Sequence, residues 1–307
     1  MYLSKALRGA CYFAVAMGMA SLSYAAPGGD DDKNDLAPTG KGIGTVFHPG
    51  QPSDKPGQAR TSKPSAGNGI FYHGGPVILG GTNIHLIWYG SWDNNTATTI
   101  LPDFASHIGP SPYFNINTTY TDGSGKAVTN MCNLSTQAND KYSLGTSLSD
   151  ADIQAIVAAQ HPTDTNGVYF VLTSADVNET SGFCTQYCGW HTHASIGGQD
   201  IKYAFVGNPD RCPSACEEQT TSPNGNAGAD GMASIIAHEL EEATTDPDLN
   251  AWYDRRGEEN ADKCAWTFGV TSTAANGSKY NMTLGSREYL IQQNWVNANG
   301  GFCALSH

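Results

Sequence analysis

Positive charge is scarce in this sequence, which has 16 Lys and Arg residues against 29 Asp and Glu residues and a formal net charge of −13. Phosphate backbones and anionic lipid surfaces attract basic proteins, so this balance argues against a nucleic acid or a membrane surface as the partner. The ligands that suit such an acidic protein are cationic, neutral or metal ions.

Long apolar runs are also missing after the N-terminal segment, and no internal repeat is visible. A membrane-spanning helix needs about 20 consecutive apolar residues, so no membrane anchor is expected.

Residues 1–26 have the pattern of a secretory signal peptide. Two cations precede an apolar run at residues 10–22, and small residues follow up to Ala25 and Ala26. The run is too short and wrongly flanked for a membrane anchor. We expect cleavage near Ala25/Ala26 and a protein that is secreted to the extracellular space or the cell wall.

The next segment, residues 27–68, consists mostly of Gly, Pro, Ser, Asp and Lys. Such a segment cannot bury enough apolar surface to order itself, so its composition predicts a disordered leader. A propeptide that blocks the active site is the alternative. The folded part then runs over residues 69–307, which is within the range of one domain.

Residues 69–307 are expected to form a single mixed domain of the α+β class. Their most hydrophobic segment, residues 167–173, is expected at the centre of a β-sheet. Strands at residues 69–79 and 82–90 are expected to be joined by a Gly-Gly turn. The other predicted elements are a strand at residues 203–207, helices at residues 96–108 and 149–160, and a last ordered segment at residues 289–295.

One predicted helix, residues 230–247, carries the chemistry of the chain. It starts at Asp230, stops at Pro247 and spans about four turns. Its apolar residues recur at helical spacing and predict one half-buried stripe, made of Met232, Ile235, Ile236, Leu240 and Ala243.

His238 and Glu242 lie four residues apart, so they project from the same flank of this helix. Glu239 falls within the apolar stripe, whereas Glu241 points to the far side. Burying two carboxylates side by side is costly without a cation or a proton, which indicates a metal site or strongly raised pKa values. A solvated acidic helix face with one satisfied histidine is the alternative.

The same run resembles the H-E-x-x-H helix of zinc peptidases, in which residues i and i+4 bind the metal and the intervening Glu is the general base. Here Glu242 stands in place of the second histidine. The gluzincin peptidases take a third ligand from a Glu on a following helix, which matches Glu259. The sequence thus predicts a zincin-like active-site helix with His238, Glu242 and Glu259 as metal ligands and Glu239 as the catalytic base.

Further side chains are candidates to support this site or to join it as additional ligands. Asp262 lies three residues after Glu259, on one side of a helical turn, and is placed to orient His238. Asp246 and His191 complete this group. A capped surface turn is the alternative for the segment around Glu259. The expected cofactor is one divalent metal ion, with Zn²⁺ as the first choice; two carboxylate ligands also admit Mn²⁺ or Ca²⁺.

His191 is a candidate because it alternates with His193 on a predicted strand, so that both side chains face the same way and can chelate an ion. A hydrogen-bonded core histidine or a surface histidine is the alternative for each of them.

Seven cysteines remain after Cys11 leaves with the signal peptide, and export favours disulfides over free thiols. The short spacings predict Cys184–Cys188 and Cys212–Cys216 bridges, with a third bridge between Cys264 and Cys303. Cys132 is then unpaired. A zinc site built from the four thiolates of the two short pairs is the alternative.

A series of motifs in this order resembles the phosphate-induced protein/EXORDIUM family over nearly all of the folded part. The motifs are Y-H-G-G-P-V at Tyr72, I-H-L-I-W-Y-G at Ile84, G-V-Y-F-V-L-T-S at Gly167, F-C-x-x-x-C-G at Phe183, C-P-x-x-C at Cys212, D-G-M-x-S-x-I-A-H-E-L-x-E at Asp230 and N-A-W-Y at Asn250. The resemblance implies a secreted, cell-wall-associated protein linked to growth signalling, without an established enzymatic activity.

Two functions of different classes follow. The first is a secreted zincin-like metallohydrolase, a peptidase that uses metal-activated water on a protein, peptide or cell-wall substrate. The second is a non-enzymatic secreted cell-wall or extracellular signalling protein of the EXORDIUM type, in which the metal site is structural or inactive.

Overall fold

The computed structural model describes residues 36–41 and 69–307. The predicted signal peptide and residues 27–35 and 42–68 of the predicted leader lie outside the described residues. Residues 36–41 belong to the predicted leader and contact the folded domain, where Leu36 N donates a hydrogen bond to Arg255 O at 3.1 Å.

Strands and helices alternate through the first two thirds of residues 69–307, and short hairpins follow. The helices are α1 Ala97–His107, α2 Asp150–Ala159, α3 Pro213–Cys216 and α4 Ala227–Thr245, with 3₁₀ turns at Phe114–Thr119, Pro209–Arg211 and Asp262–Cys264. The strands in the described ranges are β1 Phe71–Tyr72, β2 Thr82–Tyr89, β3 Cys132–Asp140, β4 Ser147–Leu148, β5 Gly167–Thr173, β6 Asn178–Glu179, β7 Gly189–Ile196, β8 Gln199–Gly207, β9 Trp252–Tyr253, β10 Ser272–Thr273, β11 Lys279–Tyr280, β12 Met282–Leu284, β13 Arg287–Tyr289, β14 Asn294–Val296 and β15 Phe302–Ala304.

A five-stranded mixed sheet forms the centre of the domain, with the strand order β3-β2-β5-β8-β7. The first four strands are parallel, and β7 is an antiparallel edge strand that pairs with β8. All seven residues of β5 are buried, and the predicted central position of this strand is confirmed. Helix α4 packs against β7 and β8, and α2 packs against β5 and β8. The predicted mixed α+β architecture with a central sheet is therefore confirmed.

The predicted pairing of the first two strands is wrong. Strand β1 has only two residues and pairs with β9, with Phe71 opposite Tyr253. Strand β2 instead pairs in parallel with β3 and β5. Seven of its eight residues are buried, so it needs a neighbour on both edges and cover on both faces, as parallel strands do.

Helix α4 begins earlier than predicted and is more deeply buried. It starts at Ala227 instead of Asp230, because the Asn226 side chain caps it by accepting a hydrogen bond from Ala229 N at 3.0 Å. Its end at Asp246-Pro247 is as predicted. Every residue from Gly228 to Thr245 is buried, so the helix has no solvent face. The predicted half-buried stripe is therefore only part of its packing.

Six cysteines form disulfides as predicted, but two of the partners are exchanged. The bridges are Cys184–Cys212, Cys188–Cys216 and Cys264–Cys303, and Cys132 is free and buried. Cys212 is the N-cap of α3 and Cys216 is its last residue, a spacing that places both sulfur atoms on one side of the turn. They therefore bond to Cys184 and Cys188, which are also four residues apart in the segment before β7, instead of bonding to each other.

None of the helices within residues 36–41 and 69–307 combines the length and the apolar character needed to span a bilayer.

The exchanged pairing is directly testable. Non-reducing peptide mapping should yield cross-linked peptides for Cys184–Cys212 and Cys188–Cys216. The double variant Cys184→Ser/Cys212→Ser should unfold at lower denaturant, with a loss of roughly 3 kcal/mol expected for releasing a closed loop of this size. The variant should keep the Cys188–Cys216 and Cys264–Cys303 bridges. A Cys184–Cys188 peptide in the wild-type digest would contradict the structure.

Candidate metal centre

His238 and Glu242 meet on one flank of α4, as their spacing predicts. The distance from His238 Nε2 to Glu242 Oε1 is 3.0 Å. Asp262, at the start of the last 3₁₀ turn, approaches the same imidazole at 3.5 Å. Its backbone N–H donates to Glu242 Oε1 at 3.1 Å, which fixes this turn to the helix. These three residues form one group of metal-ligand atoms, all within 4.8 Å of one another.

Glu242 also belongs to a second group, with His191 and Glu259. His191 projects from β7, and its Nε2 atom lies 3.2 Å from both carboxylate oxygens of Glu259. The distance from the same nitrogen to Glu242 Oε2 is 3.7 Å. One oxygen of Glu242 therefore faces each imidazole. The structure brings all five side chains together, with Glu259 next to His191 and Asp262 next to His238.

The centre is buried. The exposed fraction is 6% for His238 and lower for His191, Glu239, Glu242 and Glu259. Burial lowers the pKa of His191 to about 4, whereas it raises the pKa of Glu259 well above its ordinary value. For His238 burial acts to lower the pKa, but Glu242 and Asp262 outweigh it and raise the pKa. Without a bound cation, the cluster must therefore hold extra protons.

The donor set suits a divalent metal ion. Imidazole nitrogen and carboxylate oxygen are ligands of Zn²⁺ and Mn²⁺, and both types occur in each group around Glu242. A third group, formed by His193, Asp200 and Asp248, differs because a cation is already there. Lys202 Nζ lies 2.6 Å from Asp200 Oδ2 and 3.3 Å from Asp248 Oδ1. The cluster around Glu242 is therefore the better candidate.

Glu239, the predicted catalytic base, lies in the core between α4 and β7. Burial raises its pKa well above the ordinary value. Its Oε2 atom has no hydrogen-bond partner among the described residues. A Cβ atom on Gly189 would lie 3.0 Å from Glu239 Oε1 and 2.5 Å from Ile235 Cγ2, so only glycine fits at this point of β7. The absence of a side chain there makes room for the carboxylate.

Glu241 was expected on the far side of the helix, yet it is fully buried. Asn294 of β14 donates to its Oε2 atom at 2.7 Å. Burial raises the pKa of this carboxyl well above its ordinary value. Asn294 of β14 thus supplies a partner on the side of α4 that a helix considered alone would leave in solvent.

Asp246 supports the centre from the end of α4 and is in neither group of ligand atoms. Its Oδ1 atom accepts hydrogen bonds from Asn250 N and Ala251 N, both at 2.6 Å. Its Oδ2 atom has no partner among the described residues. Burial raises the pKa of Asp246 to about 7. The residue fixes the turn that leads from α4 towards Glu259.

Comparison with known proteins gives one consistent result. The model of the phosphate-induced protein 1 conserved region matches residues 70–304. The chain is 34% identical over 271 residues to Protein EXORDIUM-like 3 of Arabidopsis thaliana, covering 74% of this chain and 80% of that protein. It is 33% identical over 284 residues to Protein EXORDIUM-like 5 of Arabidopsis thaliana, covering 76% and 77%.

A more distant relative is Protein PHOSPHATE-INDUCED 1 of Nicotiana tabacum, 27% identical over 221 residues, or 62% of this chain and 69% of that protein. No solved structure matches the chain. The names of these relatives state no enzymatic activity, and the zincin-like assignment of α4 stays a prediction.

The raised pKa of Asp246 predicts a pH dependence of stability. Because the folded-state pKa of about 7 exceeds the ordinary value of about 4, the folded state binds the extra proton between these pH values. The free energy of unfolding should therefore fall as pH rises from about 4 to about 7, by up to roughly 1.4 kcal/mol per pH unit from this group.

Asp246→Asn keeps an oxygen for the two backbone N–H donors and removes the titration. In a buffer that contains a metal chelator, the urea concentration at the unfolding midpoint should fall less between pH 4.5 and pH 7 for Asp246→Asn than for the wild type. Asp93→Asn, at a side chain that is 72% exposed, is the control and should follow the wild type. Equal pH profiles for Asp246→Asn and the wild type would contradict the assignment.

Proposed function

Because the chain belongs to the EXORDIUM family of phosphate-induced proteins, we propose that it is a non-enzymatic extracellular signalling or wall-binding protein with a structural divalent-metal centre. The single observation that carries the structural role is the closed donor set around Glu242. A catalytic zinc site has three protein ligands and an open position, whereas structural sites are closed. Two imidazoles and two carboxylates are buried and the third carboxylate, that of Asp262, is partly buried, which leaves little room for a substrate.

The charge of the donor set supports the same proposal. Two carboxylates already neutralise a divalent ion, which makes it a weaker Lewis acid than an ion held by three histidines. The cluster has three carboxylates in direct contact with the imidazoles, and Glu239 lies beside them. Such a set favours tight retention of a cation over polarisation of a substrate.

The positions of the ligands explain what such an ion would stabilise. His191 lies on β7, Glu242 lies on α4, and Glu259 and Asp262 lie in the connection that follows β9. Only this connection is close to α4 in sequence, so an ion bound here would cross-link three parts of the fold. Removal of the ion would leave the buried carboxylates facing one another without a compensating cation.

A metallohydrolase is the second candidate function, and one observation supports it. The Glu239 Oε2 atom is buried and has no hydrogen-bond partner among the described residues. Glu239 directly follows His238, which is the position of a general base. In that function His238, Glu242 and the carboxylates of the following turn would hold the ion, which would supply Lewis-acid activation of water. Glu239 would accept the proton that the water loses.

We expect the purified protein to contain about one divalent ion per chain, with Zn²⁺ as the first choice. His238→Ala should lose most of the metal, and chelation of the wild type should lower its melting temperature. His193→Ala is the matched control, two residues from His191 on the same strand, because Lys202 already compensates its acidic neighbours. Elemental analysis and thermal unfolding measure both effects. Equal metal content in His238→Ala and the wild type would reject the centre.

The two candidate functions differ in peptidase activity. With metal bound, the wild-type protein should not cleave an unstructured protein substrate faster than Glu239→Gln does. Glu288→Gln on β13 controls for the loss of one carboxylate. If the wild type cleaves and Glu239→Gln is slower by roughly 10²-fold with unchanged metal, Glu239 is the base and the non-enzymatic proposal is wrong.

A further inference from the structure

The outer edge of the central sheet is contacted by the chain's own segment Leu36–Lys41. Strand β7 is the last strand of the sheet and pairs with β8 on one side only. On its other side His191 N donates a hydrogen bond to Gly40 O at 2.9 Å. This is a contact of the type that an added strand makes with an unpaired sheet edge.

The segment fits this edge through a position that only glycine can occupy. Gly40 has a φ angle of +68°, in the left-handed region. A Cβ atom there would lie 1.9 Å from His191 O. At the other end of the segment, a Cβ atom on Gly257 would lie 2.9 Å from Ala37 O. Both contacts require close approach of backbone to backbone, so they select for glycine at these positions.

Lys41 inserts its ammonium group into a socket of acidic and aromatic side chains. Its Nζ atom lies 2.6 Å from Asp150 Oδ2 and donates to Ser181 Oγ at 2.7 Å. The same atom is 5.4 Å from the ring centroid of Tyr187 and 5.6 Å from that of Trp190, within the range of cation–π attraction. Carboxylate, hydroxyl and two π-faces together recognise a cation.

Other contacts hold this socket in place without Lys41. Ser181 Oγ donates to Asp150 Oδ1 at 2.6 Å and contacts the Tyr187 hydroxyl, which donates to Glu179. The carboxylate of Glu179 in turn accepts a hydrogen bond from Ser181 N at 3.0 Å. The disulfides Cys184–Cys212 and Cys188–Cys216 fix the loop that carries Tyr187.

From these contacts we propose that the β7 edge and the Asp150 socket form a recognition site for a peptide segment in which a glycine is followed by a basic residue. Leu36–Lys41 is the resident occupant of this site. A partner peptide of the same chemistry binds only when this segment leaves, so the leader regulates access by competition. The site uses the backbone N–H of His191, whereas the neighbouring metal centre uses the imidazole of the same residue.

The test uses the full-length protein and two measurements. The first is hydrogen exchange of the His191 amide, which is protected in the wild type by its bond to Gly40. In Gly40→Ala, the new methyl group displaces the segment, so exchange should be at least about tenfold faster. The second is binding of a labelled synthetic peptide, Leu-Ala-Pro-Thr-Gly-Lys, which should bind to Gly40→Ala and not to the wild type.

Lys41→Glu is a second way to displace the segment and serves if Gly40→Ala does not fold. It places a carboxylate against Asp150 and should also allow the peptide to bind. Leu36→Ala is the matched control, because Leu36 is 60% exposed and its hydrogen bond to Arg255 is made by the backbone. This control should behave like the wild type.

Peptide specificity distinguishes this site from non-specific binding to an exposed sheet edge. A peptide ending in Gly-Glu, and the same Gly-Lys peptide offered to Gly40→Ala with Asp150→Asn, should bind at least about tenfold more weakly. The proposal is overturned if His191 exchange is equal in all variants, or if a displaced segment leaves an edge that binds neither peptide or binds both equally.

Discussion

The placement of ionisable side chains on a helix without a solvent face is the constraint that the rest of this structure must satisfy. Helix α4 carries His238, Glu239, Glu241 and Glu242, and all four are buried. Each charge needs a partner from another element or a proton. Strand β7 supplies His191, the connection after β9 supplies Asp262, and β14 supplies Asn294. The sheet edge, this connection and the C-terminal hairpin are thereby positioned by the same helix.

Local signals in the sequence were sufficient where one segment determines the outcome. The apolar run at residues 167–173 has no polar face, so a central strand is the only place in a sheet where it is covered on both sides. The N-terminus of α2 is similar, because Ser149 and Asp152 form a capping box. The i and i+4 spacing of His238 and Glu242 also fixes their contact without any other part of the chain.

Contacts between distant segments could not be predicted in this way. The pairing of β1 with β9 joins residues about 180 positions apart, and no local pattern encodes it. The burial of Glu241 depends on β14, which lies beyond the reach of a helical projection. The exchange of disulfide partners depends on how α3 faces the segment before β7. Likewise, the approach of Glu259 to His191 instead of His238 is decided by the path of the connection, not by residue spacing.

The reactivity of the free cysteine can report how often the fold opens locally. Cys132 begins β3, at the edge of the sheet opposite β7, and is 1% exposed. Burial raises the pKa of its thiol far above the ordinary value, so the reactive thiolate is scarce while the strand is in place. A thiol-reactive dye added under native conditions would thus label the described part of the chain at a rate set by transient detachment of β3. The labelling rate therefore measures how often β3, at the edge opposite β7, detaches from the sheet.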